Sequence, residues 1–349
     1  MITPETPRLV ALATAVPPYR LRQADVMTAG RRLFDGAFAD LERLLEIYTN
    51  AAIETRYSCV PIEWYEQEHG FAERNHLYVE NAVGLLERAT RACLQETRLR
   101  PADIDTIVAV STSGIATPSL EALLMERLAF RRDVQRLPIF GLGCAGGVLG
   151  LARAAAFAQA APGSTVLFLV VELCALTFRQ SDRSKSNLVA TALFGDGAAA
   201  GIVRCGGEGP ALTGWGEHTW PRSLDIMGWN VVDDGLAVVF SRDIPALVRT
   251  KFRDTTNRFL ASQGLTVADV DRLLCHPGGA KVVDALENAF DLPRGALVDS
   301  RSVLKDYGNM SAATVLFVLE RALQDGARGR HLMSSLGPGF TAGFLLLET

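Results

Sequence analysis

Residues 138–148 read PIFGLGCAGGV and contain the spacing G-x-G-x-x-G at Gly141, Gly143 and Gly146. In a dinucleotide-binding fold, this spacing binds a pyrophosphate at the first strand-to-helix turn, and an acidic residue about 20 positions later binds the ribose. Here the stretch lies deep in the chain, and the first acidic residue after Gly146 is Glu172. A dinucleotide loop would therefore lack its second anchor, and the glycines need another explanation.

A cysteine stands inside this glycine-rich stretch. Gly143 precedes Cys144, and Gly146 and Gly147 follow it, which permits a tight turn and the close approach of a bulky thioester. The next residues, 148–160, are strong helix formers, and the positive end of a helix dipole near sulfur would favour a thiolate. The pattern predicts a nucleophilic cysteine. The alternative is a structural cysteine buried in a packed turn.

The composition indicates a large folded protein. With 349 residues, of which 48% are hydrophobic, the chain can bury the core of one large α/β domain or of two packed halves. The net charge of -4 offers no basic surface for nucleic acid. The longest apolar runs, such as 165–171, fall short of the roughly 20 residues that span a bilayer, and no basic segment precedes an apolar one at the start. We therefore expect a cytoplasmic protein without a membrane span.

The six cysteines form no C-x-x-C pair. This spacing excludes a zinc ribbon and a redox pair, and we expect no metal site. The five cysteines other than Cys144 are expected to be small buried apolar residues in a reducing compartment.

Apolar runs of strand length alternate with helical patterns, which is typical of βαβ units and a largely parallel, buried sheet. The predicted strands are 106–111, 165–171, 198–203, 272–275 and 342–347, and the predicted helices are 77–97, 120–128, 147–160, 244–262 and 312–323. No low-complexity linker divides the chain.

The sequence contains a short internal repeat. Residues 102–105 (ADID) before TIVAV resemble 268–271 (ADVD) before RLLCH, and both GDGAAAG and GPGFTAG precede an apolar strand. Cys144 lies 39 residues after Asp105, and Asn309 lies 38 residues after Asp271. If the two halves are duplicates, Cys144 and Asn309 occupy equivalent turns that meet near a pseudo-twofold axis.

Two more polar residues stand at the ends of apolar segments. His276 follows a strand in LCHPGG, where a side chain is exposed at the carboxyl edge of a sheet, and Asn309 lies in DYGNMSAA. With Cys144 they supply a nucleophile, a base and an amide donor. The alternatives are a hydrogen-bonded structural histidine and a helix-capping asparagine.

The motifs FGLGCAGG, ALFGDGAAA, CHPGG, YGNMSAA and LGPGF together resemble the type III polyketide synthases, the chalcone synthase-like branch of the thiolase fold. Ketoacyl synthases of the fatty-acid initiation type are similar but usually read His-Gln-Ala-Asn where this chain has HPGG. The resemblance implies an α/β fold with a duplicated, five-layer αβαβα architecture. It also implies a half at 1–205 with the nucleophile, a half at 206–349 with the histidine and asparagine, a homodimer and a catalytic triad of Cys144, His276 and Asn309.

The resemblance also implies a mechanism. Cys144 takes an acyl starter from coenzyme A (CoA) or from an acyl carrier protein. His276 and Asn309 then stabilise the enolate that forms when malonyl-CoA loses carbon dioxide, and this carbanion extends the starter. The substrates are CoA thioesters, and no metal or redox cofactor is expected.

Pocket residues follow from the same resemblance. Phe194 matches an aromatic gate, Val238 stands where plant members commonly carry phenylalanine, and Thr117 would cross into the partner's cavity at the dimer interface. The full set of expected substrate-binding residues is Thr112, Thr117, Thr177, Phe194, Val238 and Ser311. A helix that contacts CoA in plant members matches 41–57, and the expected CoA-binding residues are Arg43, Arg56, Gly278 and Gly279, although this helix also carries Glu46 and Asn50.

The stretches GIATPSLEALL and SDRSKSNLVATALFGDGAAA look most like bacterial alkylresorcinol and alkylpyrone synthases. Together with the small residues Ala116, Cys174 and Val238, they predict a medium- or long-chain fatty acyl starter and an alkylpyrone or alkylresorcinol product. The alternatives are a single-condensation ketoacyl synthase and a naphthalene- or phloroglucinol-forming synthase. A non-catalytic acyl-binding protein is disfavoured, because it would have no need of Cys144.

Overall fold

The computed structural model describes residues 5–349. Its strands are β1 (Pro7–Ala15), β2 (Tyr19–Arg22), β3 (Thr55–Ser58), β4 (Thr106–Val110), β5 (Gln135–Ile139), β6 (Thr165–Leu173), β7 (Asp196–Cys205), β8 (Ala211–Thr219), β9 (Met227–Val232), β10 (Gly235–Phe240), β11 (Arg272–Cys275), β12 (Arg330–Gly337) and β13 (Thr341–Glu348). Its α-helices are α1 (Gln23–Leu33), α2 (Leu41–Asn50), α3 (Phe71–Thr97), α4 (Leu120–Leu124), α5 (Gly146–Ala160), α6 (Lys185–Leu193), α7 (Ile244–Leu247), α8 (Arg253–Ser262), α9 (Ala280–Ala289), α10 (Val298–Tyr307) and α11 (Thr314–Gln324).

Nine strands form the main sheet, in the order β11-β12-β13-β8-β1-β7-β6-β4-β5. Outward from the central pair, β1-β7-β6-β4 and β8-β13-β12-β11 show the same pattern of two antiparallel pairings followed by a parallel one. The second half therefore repeats the first, and β5 is an additional edge strand.

Several strands of this sheet (β4, β6, β7, β12 and β13) are buried along almost their whole length. All nine residues of β6 (TVLFLVVEL) are buried. Val166, Phe168 and Val170 contribute to one core cluster, whereas Leu167 and Leu169 contribute to another. A strand buried on both faces needs a continuous apolar run, because its side chains alternate between two dry environments.

Helices α5 and α11 form the central layer. Their side chains share one core with residues from the strands of both halves, while α3 packs against the outer face of the first half and α8 and α9 cover the second. A Cβ atom at Gly147 would overlap the carbonyl oxygen of Ala312. Glycine at this position therefore lets the start of α5 approach the turn before α11.

The five predicted strands and the helix cores are confirmed, with shifted ends. The prediction of a largely parallel sheet is wrong, because five of the eight neighbouring strand pairs are antiparallel. The segment 244–262 contains a π-helical turn (Val248–Phe252) between α7 and α8, and the helix predicted over 120–128 ends at Leu124. The helix expected over 41–57 is wrong beyond Asn50. Ala52 adopts a left-handed backbone conformation with φ 56°, which ends the helix, and Thr55–Ser58 then pairs with β2.

None of the helices in the described part of the chain combines the length and the apolar character that crossing a bilayer requires.

Candidate active site

Three turns bring the predicted triad to one cavity of about 630 Å³. Cys144 lies in a 3₁₀ turn (Gly143–Ala145) directly before α5, His276 follows β11, and Asn309 lies between α10 and α11. All three side chains line this cavity. The turn of Cys144 leads into α5 and the turn of Asn309 leads into α11. Both helices belong to the central layer, as the internal repeat predicts.

The turn of Cys144 is held from both sides. Gly143 has φ +46°, and a Cβ atom there would lie 2.5 Å from Cδ of Pro338, so the position requires glycine. The Gly143 amide donates to Oγ1 of Thr112 at 3.1 Å. The Cys144 thiol donates to Oγ of Ser311 at 3.6 Å. Thr112 thus positions the turn, and Ser311 contacts the sulfur.

The Asn309 side chain is fixed by two hydrogen bonds. Its Nδ2 donates to the Gly278 carbonyl oxygen at 3.1 Å, and its Oδ1 accepts from the Ser311 amide at 2.8 Å. Its own amide donates to the Leu193 carbonyl oxygen at 2.8 Å. Because an amide nitrogen carries two hydrogens, one N–H of Asn309 remains available to a ligand.

The imidazole of His276 is 5% exposed, and neither ring nitrogen has a hydrogen-bond partner among residues 5–349. Burial lowers the pKa of His276 to about 3 and is the main cause that raises the pKa of Cys144 to about 12. The expected thiolate is therefore not the resting form. Burial is the largest cause of both pKa shifts, and it favours the neutral forms of the cysteine and the histidine in the unliganded cavity.

Glu172 was missed by the sequence analysis as a residue of this site. Its carboxylate is fully buried at the end of β6, where Oε2 accepts from the amides of Thr112 (3.1 Å) and Ser113 (2.9 Å). Its Oε1 accepts from Oγ of Ser311 at 3.5 Å. Burial raises the pKa of Glu172 to about 7, against the opposing effect of these hydrogen bonds. The sequence feature that could have identified Glu172 is a single carboxylate in the apolar strand TVLFLVVEL.

Phe194 lies between two other aromatic rings. Its centroid is 6.0 Å from that of Trp229 and 5.7 Å from that of Phe240. Val238 packs against the same cluster. The Phe240 ring lines the triad cavity, whereas the residue predicted from the sequence in this strand is Val238. Side chains alternate along a strand, so residues 238 and 240 lie on one face of β10. This alternation could have predicted Phe240 together with Val238.

A second, smaller pocket of about 60 Å³, here called the side pocket, lies behind Phe194. Thr177 lines it, and its hydroxyl donates to the Cys174 carbonyl oxygen at 2.7 Å. The rest of the lining is mainly apolar and includes Leu21, Val26, Leu33, Ile62, Cys174, Phe178 and Phe194. Phe194 lines the side pocket and Phe240 lines the triad cavity, so these two adjacent rings belong to the walls of different spaces.

Arg56 is not a CoA contact. It lies in β3, is 2% exposed, and donates to the carbonyl oxygens of Thr191 (2.8 Å) and Phe194 (2.9 Å) as well as to the Gln23 side chain. These inward bonds hold the loop that carries Phe194. The prediction failed because the chain leaves the helix before residue 56, which reverses the direction of this side chain.

The outer part of the triad cavity is basic. Arg43 lines it, with its guanidinium paired to Asp40. Gly278 and Gly279 line the cavity as well. Three further exposed cations, Lys185, Arg242 and Lys281, were missed, because they come from separate segments that only the fold brings together; Glu46 is the acidic residue among them.

Thr117 does not line the cavity of its own chain. It is exposed and follows Ile115, which is 45% exposed. Phe140 directly follows β5 and precedes the Cys144 turn. It is 61% exposed.

Glu172→Gln should change how stability depends on pH. The pKa of Glu172 is raised from its ordinary value of 4.5 to about 7, so the folded state binds the proton more tightly than the unfolded state, and the wild type loses stability as the pH rises through this window. Glutamine cannot ionise. Between pH 4.5 and pH 8, the free energy of unfolding of the variant should gain up to about 3 kcal/mol relative to the wild type, as measured by urea unfolding.

Glu42→Gln is the control for this measurement, because Glu42 is an exposed carboxylate on α2 paired with Arg31. It should show no relative gain over the same pH range. Parallel pH profiles for the wild type and Glu172→Gln would contradict the prediction.

Residues 5–207 match the N-terminal domain of chalcone and stilbene synthases, and residues 217–349 match their C-terminal domain. The chain is 40% identical to a 1,3,6,8-tetrahydroxynaphthalene synthase of Streptomyces peucetius subsp. caesius, over 97% of this chain and 92% of that protein. It is 38% identical to a putative chalcone synthase of Bacillus subtilis (strain 168), over 97% and 98% of the two chains.

The crystal structure of 1,3,6,8-tetrahydroxynaphthalene synthase from Streptomyces coelicolor A3(2), a bacterial type III polyketide synthase, superposes with a TM-score of 0.93. The two proteins are 29% identical, and the match covers 98% of this chain and 99% of that one. The agreement extends over both halves of the duplicated sheet. The chain therefore belongs to the chalcone and stilbene synthase family, and it is a type III polyketide synthase with the thiolase fold.

Proposed function

We propose that this enzyme loads an acyl starter onto Cys144 and extends it by decarboxylative condensation with malonyl-CoA. The observation that carries this proposal is the convergence of Cys144, His276 and Asn309 on one cavity with exposed cations at its outer end. A thiol, an imidazole without a partner and an amide with a free N–H supply the groups that thioester exchange and enolate stabilisation require.

In the loading step, the Cys144 thiol transfers its proton to a ring nitrogen of His276, and the sulfur attacks the carbonyl carbon of the acyl thioester. The new sulfur–carbon bond replaces the bond to the CoA sulfur, and the departing CoA thiolate takes the proton from His276. The acyl group remains on Cys144 as a thioester.

In the extension step, the thioester oxygen of malonyl-CoA accepts hydrogen bonds from His276 and from the free N–H of Asn309. Loss of carbon dioxide leaves the bonding electrons in an enolate that these donors stabilise. The enolate carbon attacks the acyl carbonyl, a carbon–carbon bond forms, and the bond to the Cys144 sulfur breaks. No external electron donor or acceptor enters this balance, so the scheme requires no redox cofactor. In this proposal the hydrogen bonds from His276 and Asn309 polarise the thioester oxygen, and no metal ion is needed for that role.

The exposed cations suit a phosphorylated carrier. Lys185, Arg242 and Lys281 line the outer cavity together with Arg43, and ammonium and guanidinium groups bind phosphate oxygens. A starter on CoA or on an acyl carrier protein presents such phosphates. The glycines at 278 and 279 leave space for the thioester arm beside His276.

Cys144→Ala should lower product formation from an acyl-CoA and malonyl-CoA by at least about a thousandfold, because the covalent step is lost. Decarboxylation of malonyl-CoA should persist, since His276 and Asn309 remain. Chromatography with mass detection measures both activities. Cys205→Ala removes a buried thiol that donates to the Ala158 carbonyl oxygen and should retain activity. The same product yield from Cys144→Ala as from the wild type would refute the mechanism.

We further propose a fatty acyl starter and an alkylpyrone or alkylresorcinol product. The support is the apolar side pocket behind Phe194 and the absence of a ring at Val238, which packs against Phe194. A tail that enters this pocket gains about 0.8 kcal/mol for each buried methylene. The pocket is small, so the gain should end at a medium chain length.

A second candidate is an aromatic product built from malonyl units alone. It is favoured by the relatives named 1,3,6,8-tetrahydroxynaphthalene synthase, one of which is 40% identical to this chain. In this case the starter is short, and the side pocket would receive the growing polyketide instead of an alkyl tail.

For the fatty starter, kcat/KM should rise from hexanoyl-CoA upward by up to about fourfold per methylene and then level off. Val238→Phe adds a ring beside Phe194 and should shorten the preferred starter or reduce the number of extensions. Steady-state kinetics and product masses measure both effects.

Val231→Phe adds the same ring on the same hairpin at a position that is 80% exposed, and the product profile should not change. If acetyl-CoA or malonyl-CoA outcompetes decanoyl-CoA as the starter, the second candidate is correct. An unchanged profile in Val238→Phe would exclude that residue from starter selection.

We propose that the enzyme is a homodimer whose interface includes the segment with Ile115 and Thr117. The apolar side chains of Ile115 and Phe140 are 45% and 61% exposed in the single chain, and both lie in segments next to catalytic turns. Burial against a second copy would remove this apolar surface from water and would bring Thr117 to the partner's cavity.

Light scattering at micromolar concentration should therefore give twice the mass of one chain, and Ile115→Asp should shift the population towards monomer. Val298→Asp places the same charge at an apolar position that is 58% exposed at the start of α10, and it should leave the dimer intact. A monomeric wild type would contradict the proposed assembly.

A further inference from the structure

Ser335 carries a buried hydroxyl without a partner. The residue lies in β12 and is 3% exposed, and its Oγ makes no hydrogen bond to any of the residues that the structure describes. Ser335 also lines the triad cavity. A buried polar atom that lacks a partner carries a desolvation cost, so its place in this cavity needs an explanation.

The strand register places Ser335 beside His276. Strands β11 and β12 pair in parallel up to Cys275 and Ser334, and the His276 amide donates to the Ser334 carbonyl oxygen at 2.8 Å. The next residues along the two strands are His276 and Ser335. Neighbouring residues in register share a face of a sheet, so these two side chains project to the same side.

That side is the one that faces Cys144. Two residues further along β12, a Cβ atom at Gly337 would lie 2.8 Å from the Ala145 amide nitrogen, and alternation places residues 335 and 337 on one face. Ser335 therefore lies on the face that packs against the Cys144 turn, next to the histidine.

The other polar side chains of the triad region already have partners. Asn309 bonds to Gly278 and to the Ser311 amide, the Ser311 hydroxyl bonds to Glu172, and the Thr112 hydroxyl accepts from Gly143. In contrast, both ring nitrogens of His276 lack a partner. The histidine and Ser335 are thus adjacent groups with unused hydrogen-bonding capacity.

The charged and titratable side chains around His276 do not supply a hydrogen-bond acceptor for its ring N–H. Cys144 reaches the cavity from the turn before α5, Glu172 lies behind Ser311 on β6, and Lys281 enters from α9. Within residues 5–349 no carboxylate hydrogen-bonds to the ring, and burial is the cause that lowers its pKa. When the ring takes the thiol proton it gains a second N–H, which needs an acceptor, and a hydroxyl oxygen can serve as one.

We infer that Ser335 is a positioning residue, whose hydroxyl accepts the His276 N–H directed away from the Cys144 sulfur and so stabilises the imidazolium–thiolate pair. The inference rests on the proposed function, in which Cys144 is the nucleophile. Ser335 takes no part in bond making, and it acts by fixing the ring and supporting its second proton.

The test is the pH dependence of Cys144 alkylation by iodoacetamide, followed by peptide mass mapping. Ser335→Ala removes the acceptor, so the imidazolium is less stable and the thiolate appears at higher pH. At pH 7 the alkylation rate should fall about tenfold, as expected for loss of one hydrogen bond to a charged group. The difference in rate between the variant and the wild type should shrink only as the pH approaches the thiol pKa of about 12, where hydroxide removes the thiol proton without help from His276. In turnover, kcat should fall while KM for malonyl-CoA changes little.

Ser334→Ala is the matched control. Ser334 is also buried and also lines the triad cavity. Its hydroxyl already has a partner, because it donates to the Cys275 sulfur at 3.4 Å on the opposite face of β12, so the alkylation profile should match the wild type. Ser335→Thr retains the hydroxyl and should restore the wild-type profile. Ser335→Gly removes it with less side-chain volume and should behave like Ser335→Ala.

The outcomes separate the two proposals. If Cys144 of the wild type is not alkylated in preference to the other cysteines, the proposed nucleophile is wrong. If Cys144 is alkylated preferentially but Ser335→Ala and Ser335→Gly show the wild-type pH profile, only the role of Ser335 is refuted. If both variants fail to fold, as judged by thermal melting, the hydroxyl has a structural role and the inference is also overturned.

Discussion

The approach of Gly147 to the Ala312 carbonyl oxygen is the contact on which the triad depends. A side chain at position 147 would separate the start of α5 from the turn before α11, and these two segments carry Cys144 and Asn309. Because the helices also share the apolar core between the two halves, a small displacement here would move both residues. The chemistry of the cavity is thus built on a packing constraint at the pseudo-twofold axis.

Burial sets the electrostatic character of this cavity. It disfavours charge on Cys144, His276 and Glu172, whose pKa values move to about 12, about 3 and about 7. The same exclusion of water strengthens any hydrogen bond that forms to a developing charge. The neutral resting site is therefore compatible with charge separation when a thioester supplies the electrophile, since the donors are already in place.

Apolar periodicity and glycine-rich turns are local signals, and they were sufficient to predict five of the strands and most of the long helices. The duplicated fold and the meeting of three turns at one cavity were predicted mainly from the family resemblance. It was insufficient for Arg56, because a single left-handed residue at Ala52 redirects the chain. The cations at the cavity opening and the orientation of Ser335 depend on contacts between distant segments. The charge state of Cys144 depends on desolvation, which no sequence motif records.

The isolated bridge between Phe194 and Asn309 joins these two residues through their main chains. The asparagine is held there through main-chain atoms, with the Gly195 amide donating to its carbonyl oxygen at 3.0 Å, whereas the ring of Phe194 points into an aromatic cluster. Substitution of the rings around Phe194 therefore leaves in place these main-chain bonds and the side-chain bonds of Asn309 to Gly278 and Ser311. The shape of the aromatic wall and the position of the Asn309 amide can thus change independently of each other.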